Sequence, residues 1–397
     1  MRTALILATL LCLGAQAFHY AGYPALLLLL ARLRRRPPPA MDGAALPTAT
    51  LVIAAYDEAA VIGEKLCNSL ALDYPGLGIV VVSDGSTDGT PGIVAGFREA
   101  GVVGLHRPER RGKADAINRG AATAATDIVV LSDANALYAP DAIRRLAAHF
   151  ADPAVGCVTG RRTVRPAAGT AGAAGAGESL YWRYESKVKQ LESRLGSTVA
   201  VAGEMLAVRR ALLPPLPAGL VNDDAFIALA VLRAGRRVLY EPRALCWEPP
   251  SASMRDELVR RRRIAAGRYQ LLAHPGWWPW RRPGPLAMLL CHKLLRLVLP
   301  FLMLGALAAN LALALWPPMP PLLQATLAAQ LGFYGLALVG GAAARAGRRW
   351  RIPAAAWYLT VGHLGALGGF LRFVGGGQSA LWEKASRPAV PPGQSRS

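Results

Sequence analysis

Acidic residues are scarce in this chain of 397 residues: 25 Asp and Glu stand against 45 Lys and Arg, a formal charge of +20. Cysteine is scarce as well. The five, Cys12, Cys67, Cys157, Cys246 and Cys291, show no C-x-x-C spacing and two lie in or beside apolar blocks, which fits a reduced, cytoplasm-facing catalytic part. The excess of base raises the possibility of a nucleic-acid partner. Its placement argues against one, because the arginine runs at 32–36, 260–263 and 345–351 each border an apolar block. Membrane topology and anionic lipid account for such runs, so membrane lipids rather than nucleic acid are the expected partner.

The chain is too long for one average domain. Apolar blocks at 5–30, 294–315 and 322–344 are each long enough, at roughly 20 residues, to cross a bilayer core as a helix. Met1-Arg2, an apolar run over 4–13 and Ala15-Gln16-Ala17 have the form of a cleavable signal, but apolar character resumes at 24–30 and ends in arginines. An uncleaved anchor is therefore expected, with its N-terminus outside and its arginines in the cytoplasm. Pro37 to Pro39 make a stiff exit linker. The uncharged turn at 316–320 fits the outside and the basic run at 345–351 the inside. The last apolar piece, 353–374, contains His363, Arg372 and several glycines, and reads equally as a fourth span or a re-entrant interfacial hairpin.

Between these blocks, short β-branched runs alternate with helical stretches. Residues 51–55, 79–82, 102–105 and 128–131 read as strands, and 60–72, 91–100, 113–125 and 140–150 as helices. That alternation predicts an α/β domain with a mostly parallel sheet covered on both faces. Further strands are expected at 155–159, 199–208 and 238–240, a flexible loop at 167–177, and a helix at 178–195 carrying Tyr181, Trp182 and Tyr184. Residues 254–272 form a basic amphipathic helix suited to the membrane surface, followed by an interfacial belt of Trp277, Trp278 and Trp280. The resulting division is an anchor at 1–36, a catalytic domain at 48–250, an interfacial segment at 251–285, a membrane region at 286–376 and a tail at 377–397.

Chemistry-bearing residues sit where the strands end. Tyr56 offers a ring for a nucleobase and Glu58 a carboxylate for ribose hydroxyls. Asp84 closes the second strand with a carboxylate able to accept from a base N–H. Lys113 opens a helix after a strand, bringing a cation and a helix N-terminus toward phosphate. Asp133-Ala134-Asn135 follows another strand, and residues two apart project to one side, as Mg²⁺ or Mn²⁺ ligands would. Each feature alone also has a plain reading: a turn aspartate, a solvated lysine.

The ordered series AAYDEA, VVVSDGSTDGT, RGKADAINRG, LSDANA and NDDAFIALAVLRAGRRVLYEP, ending in membrane helices, resembles the inverting GT-A glycosyltransferases of family 2. These include cellulose-, chitin- and hyaluronan-synthase-like enzymes and makers of exopolysaccharide. The resemblance implies a Rossmann-like GT-A domain over about 48–270 that takes a nucleotide-sugar donor and glycosylates a carbohydrate or glycolipid acceptor at the bacterial-type inner membrane, alone, as a homo-oligomer or with an exporter. It implies that Ala55, Tyr56, Glu58, Asp84, Lys113 and Asp133 bind the nucleotide, a UDP. Asp133 and Asn135 occupy the metal site, with an amide in place of the second acid. Asp223-Asp224 match the acidic pair whose second member is the catalytic base; a helix N-cap is the alternative reading of that pair. Gly203, Glu204 and Trp182 fall on the acceptor side. Arg260 and Arg263 stand where processive members carry Q-x-x-R-W, without the Gln or Trp. Two other readings share these motifs: transfer to a polyprenyl phosphate, and a catalytically silent nucleotide-sugar-binding subunit.

Overall fold

The computed structural model describes residues 1–33, 45–164, 173–249, 254–348 and 350–376. The proline linker at 37–39 and the tail at 377–397 lie outside them. The elements, in chain order, are α1 (Arg2–Leu33), β1 (Ala49–Ala55), α2 (Ala59–Leu70), β2 (Gly78–Asp84), α3 (Thr90–Ala95), β3 (Val102–Arg107), α4 (Lys113–Thr123), β4 (Ile128–Asp133), β5 (Leu137–Tyr138), α5 (Ala142–Ala148), β6 (Val155–Val164), α6 (Ala173–Leu195), β7 (Leu206–Arg209), α7 (Asp223–Arg233), β8 (Arg237–Glu248), α8 (Met254–Leu272), α9 (Pro283–Ala314), α10 (Pro321–Arg345) and α11 (Arg351–Val374).

The strands form one sheet in the order β3-β2-β1-β4-β7-β6-β8-β5. The first four run parallel, and β7 is antiparallel to both β4 and β6. Alternate residues of β1 serve two cores: Val52 and Ala54 face Ile117, Val129 and Phe226 on one side, and Leu51 and Ile53 face Ile62, Leu66 and Ile143 on the other. Burial on both faces explains the unbroken apolar runs. Each buried Val, Leu, Ile or Phe among them contributes about 1.5–3 kcal/mol of transfer free energy. Helix α4 lies directly on the sheet, since a Cβ at Gly120 would come within 2.3 Å of Val52 Cγ1.

The register fixes where the polar ends meet. Ala55 pairs with Ser83, and Ala54 with Asp133, so Tyr56, Asp84 and Asp133 leave the sheet at the same edge. Strand order reverses between β1 and β4, the crevice in which open α/β sheets bind ligands.

Three expectations change. The strand expected over 199–208 begins only at Leu206; the preceding stretch is a loop tied to β6, with the Ala202 amide donating to Thr159 Oγ1 at 3.0 Å. The loop expected over 167–177 is helical from Ala173, the remainder lying outside the described residues. Residues 353–374 form no hairpin: α11 is one continuous helix, and its glycines serve packing rather than a break. A Cβ at Gly365 would lie 2.7 Å from Arg261 Cβ, and one at Gly369 2.5 Å from Ala265 Cβ, so α8 and α11 approach backbone to backbone. Helix α8 is thus packed against a neighbour, burying Glu257, Ala265, Ala266 and Tyr269.

Four helices are long and apolar enough to cross a membrane: α1, α9, α10 and α11. Helices α1 and α9 each contain a π turn, Phe18–Gly22 and Leu289–Leu294, and the two touch where His19 Nδ1 lies 3.2 Å from the Cys291 carbonyl. The extra residue in the second turn faces His292 and Lys293 toward Glu185 of α6, at 3.2 and 2.9 Å. Candidate span α9 is thereby joined to α6 by buried contacts of His292 and Lys293 with Glu185.

Candidate active site

The stretch Ser83–Thr90 organises the crevice through its own backbone. Asp84 is wholly buried, and its two carboxylate oxygens accept from the amides of Arg111 and Gly112 at 3.0 and 2.7 Å. It therefore fixes the start of α4 and, with it, Lys113. The following turn latches the loop after β1: the Asp57 amide donates to Ser86 Oγ at 3.0 Å, Thr87 donates to Asp57 Oδ1 at 2.8 Å, and the Glu58 amide donates to Thr90 Oγ1 at 2.8 Å. Asp57 has φ of 51°, a left-handed conformation that the latch holds in place. Glu58 is buried beside it.

Tyr56 presents its ring to Arg110, whose guanidinium lies 3.5 Å from the ring centroid. Such a stack is a platform for a planar, electron-rich group. Gly85, at φ of 69°, is required here, because a Cβ would come within 2.8 Å of Arg110. Arg110 was not singled out from sequence; one of the three arginines at 107, 110 and 111 carries no signal that marks it.

Lys113, Asp133, Asp223, Asp224 and Gly203 converge. Lys113 Nζ lies 2.7 Å from Asp133 Oδ1 and 3.4 Å from Asp223 Oδ2. A Cβ at Gly203 would lie 3.3 Å from Asp224 Cβ and 3.6 Å from Lys113 Nζ, so the 199–205 loop passes close against both. Burial opposes the charge on Lys113, yet Asp133 and Asp223 hold it above the ordinary lysine range. Asp223 and Asp224 occupy the first turn of α7, and the N-cap position falls to Asn222 instead. Asp224 accepts from the Ala225 amide at 2.8 Å. Burial, with neighbouring Asp223, pushes its carboxyl up to about 6, and Lys113 pulls the other way. That value suits a general base at neutral pH.

Asp133 and Asn135 keep partial exposure while Ala134 and Ala136 are buried, so the two polar residues share the open side. A divalent cation fits this pair in part. The chain supplies one carboxylate and one amide oxygen, Lys113 already occupies the carboxylate's neighbourhood, and no cluster of three metal-binding acids, histidines or cysteines occurs among the described residues. The diphosphate of a bound nucleotide would complete the coordination.

The acceptor-side residues divide. The Glu204 carboxylate lies 3.5 Å from Arg162 Nε, and Arg162 pairs with Glu248 at 2.6 Å while its guanidinium covers the Trp182 ring at 4.8 Å. Glu204 and Trp182 are therefore one wall, joined by an arginine that sequence reasoning missed. Burial pushes Glu248 up to about 7 despite Arg162. Arg260 is turned to Glu257, with Nε 3.0 Å from Oε2. Arg263 lies in the field of Asp133 and Asp223, where burial works against its charge.

Residues 47–267 match the family described as Glycosyltransferase like family 2. The poly-beta-1,6-N-acetyl-D-glucosamine synthase of Staphylococcus aureus (strain COL) is 27% identical over 228 residues, 56% of this chain and 55% of that protein. The Staphylococcus epidermidis protein of the same name is 26% identical over 233 residues, 57% and 56%. The chain spans about half the length of these curated relatives. Among solved structures, the mannosyltransferase PcManGT from Pyrobaculum calidifontis, in complex with GDP-Man and Mn²⁺, superposes with a TM-score of 0.69 at 26% identity, covering 92% of this chain and 99% of that one.

Proposed function

The chain belongs to glycosyltransferase-like family 2 and is a glycosyltransferase; from that premise we propose that it is membrane-bound and moves a sugar, with inversion, from a nucleotide-diphosphate donor to a hydroxyl of a polysaccharide or glycolipid acceptor. The observation that carries the reading is the convergence of Asp224, Lys113 and Asp133 at the carboxyl edge of the sheet. Tyr56 and Arg110 sandwich or flank the base, and the loop held by Asp84 presents Lys113 to the diphosphate. Asp224 takes the proton of the acceptor hydroxyl as its oxygen attacks the anomeric carbon, and the bond to the diphosphate breaks on the opposite face. Asp133 and Asn135 would hold a divalent ion, which when bound would supply Lewis-acid neutralisation of the diphosphate. Lys113 and Arg263 add positive charge on the same side.

A UDP-sugar, N-acetylglucosamine above all, is the donor we favour, because the curated relatives bear the name of poly-beta-1,6-N-acetyl-D-glucosamine synthases. GDP-mannose is the second reading, favoured by the ligand named with PcManGT. The basic run ending α10 supports a cytoplasmic catalytic domain. A panel of radiolabelled UDP- and GDP-sugars with Mn²⁺ or Mg²⁺, given to membranes holding this protein, tests the proposal. Slow donor hydrolysis without acceptor is expected for one nucleotide class; binding with no turnover of any donor would sink it.

A further inference from the structure

Behind the loop that carries Asp133 and Asn135 lies a wholly buried cation, Lys65 of α2. Among the described residues it pairs with no carboxylate; its ammonium donates to the Ala136 carbonyl and lies 3.9 Å from the centroid of the Tyr138 ring. A buried ammonium without an acid needs both that acceptor and that ring face. One turn further along α2, Asn68 takes both main-chain groups of Tyr138: Nδ2 donates to its carbonyl at 2.9 Å, and Oδ1 accepts from its amide at 2.8 Å. Strand β5 also pairs Tyr138 with Cys246 of β8. The backbone and ring of Tyr138 are thus fixed from two elements.

Its hydroxyl reaches a different loop. It donates to the Glu204 carbonyl at 2.7 Å, with the Leu131 carbonyl farther off at 3.3 Å. Glu204 follows Gly203, the residue at which the 199–205 loop passes against Asp224 and Lys113. On either side of that pair the loop is tied to β6: Thr159 Oγ1 accepts from the Ala202 amide at 3.0 Å and donates to the Met205 carbonyl at 3.1 Å. Between those two ties, the Glu204 carbonyl is held by Tyr138. Tyr138 is itself buried, so whatever it does for the reaction passes through the groups it holds. Removing the hydroxyl would leave the carbonyl without its donor.

We propose that Tyr138 is a positioning residue for sugar transfer: its hydroxyl holds Gly203 and Glu204 at the spacing from Asp224 that an incoming acceptor hydroxyl requires. The ring has a separate duty, seating Lys65 beneath the loop of Asp133 and Asn135. Ring and hydroxyl therefore serve opposite sides of the crevice. A shift of about 1 Å in the 199–205 loop misplaces the acceptor against the base and costs on the order of 10²-fold in rate. Water is small enough to meet the base without being placed by the loop, and the platform for the nucleotide base is built from Tyr56 and Arg110. The inference rests on the transferase reading, with Asp224 as the base.

The test uses the full chain in phosphatidylcholine nanodiscs, with UDP-N-acetylglucosamine or GDP-mannose, whichever the wild type hydrolyses, and the matching tetrasaccharide as acceptor probe. Tyr138→Phe keeps the ring over Lys65 and removes only the hydroxyl. It is expected to lower kcat for transfer by about tenfold or more, while the KM for donor and the rate of donor hydrolysis without acceptor stay within about twofold. Amide hydrogens at 202–205 should exchange about tenfold faster than in the wild type, with those of β1 and β4 unchanged. Equal loss of transfer and hydrolysis, unchanged transfer, or unchanged exchange at 202–205 would overturn the positioning role. If Tyr138→Phe does not accumulate, Asn68→Ala decides: it frees the Tyr138 main chain from outside the crevice, and transfer should fall more than hydrolysis, an equal fall of both overturning the role. Wild-type hydrolysis separates the two readings: its absence with both donors contradicts the transferase centre itself, whereas hydrolysis with no such split in Tyr138→Phe contradicts the positioning role alone.

Discussion

The ammonium of Lys113 lies 2.7 Å from Asp133 Oδ1, so the cation that opens α4 is bound to the proposed metal ligand that ends β4. It also lowers the carboxyl of Asp224. Lys113→Met should therefore do two things: slow transfer by about 10²-fold through lost charge at the diphosphate, and move the acidic limb of the pH profile upward. A slower enzyme with an unmoved profile would remove Lys113 from the environment of the base.

For the unaltered protein, kcat/KM should rise with pH through about 6 and then level, as Asp224 loses its proton. The sign follows from burial, which favours the neutral acid. The same raised value means that the ionised carboxylate opposes folding at neutral pH and ceases to do so as pH falls from about 6 toward the unfolded value near 4. Initial rates from pH 4.5 to 8.5, at fixed metal, provide the check.

Asn135 gives the metal an oxygen without a charge. Asn135→Asp should tighten the apparent affinity for Mn²⁺ by about tenfold, an added interaction of roughly 1.4 kcal/mol between a carboxylate and the ion near a protein surface. Titrating Mn²⁺ against initial rate reads this directly. An unchanged half-saturation would place Asn135 outside the coordination shell.

Gly267 has no room for a methyl group, which would meet Asn222 at 2.7 Å. Gly267→Ala should cost about 1–3 kcal/mol as overpacking and lower kcat more than it raises the KM for donor, because the displaced strap leads into Asp223 and Asp224. Thermal unfolding and steady-state kinetics measure the two effects. A full-activity variant would show that α8 does not set the position of the base.

The sheet was legible because β1, β2 and β4 are buried on both faces and so lack polar interruptions. Their polar ends were legible for the same reason: Asp84 and Asp133 stand out against apolar runs. Contacts set by tertiary packing were not. Nothing in the local pattern says that Asp84 would bind the amides of Arg111 and Gly112, that Arg162 would connect Glu204 to Trp182, or that the glycines of α11 would admit α8 rather than break a helix. Those depend on residues far apart in sequence and on which side of a helix meets which neighbour.

The most direct test of the central claim is Asp224→Asn, assayed for transfer and, by calorimetry, for binding of the nucleotide sugar. Removing the base while keeping the shape should lower transfer by about 10²–10⁴-fold, leave donor affinity within a few-fold, and raise stability by about 1–3 kcal/mol as a buried carboxylate beside Asp223 becomes neutral. Equal loss of binding and transfer, with a less stable protein, would make Asp224 a structural residue and contradict the account.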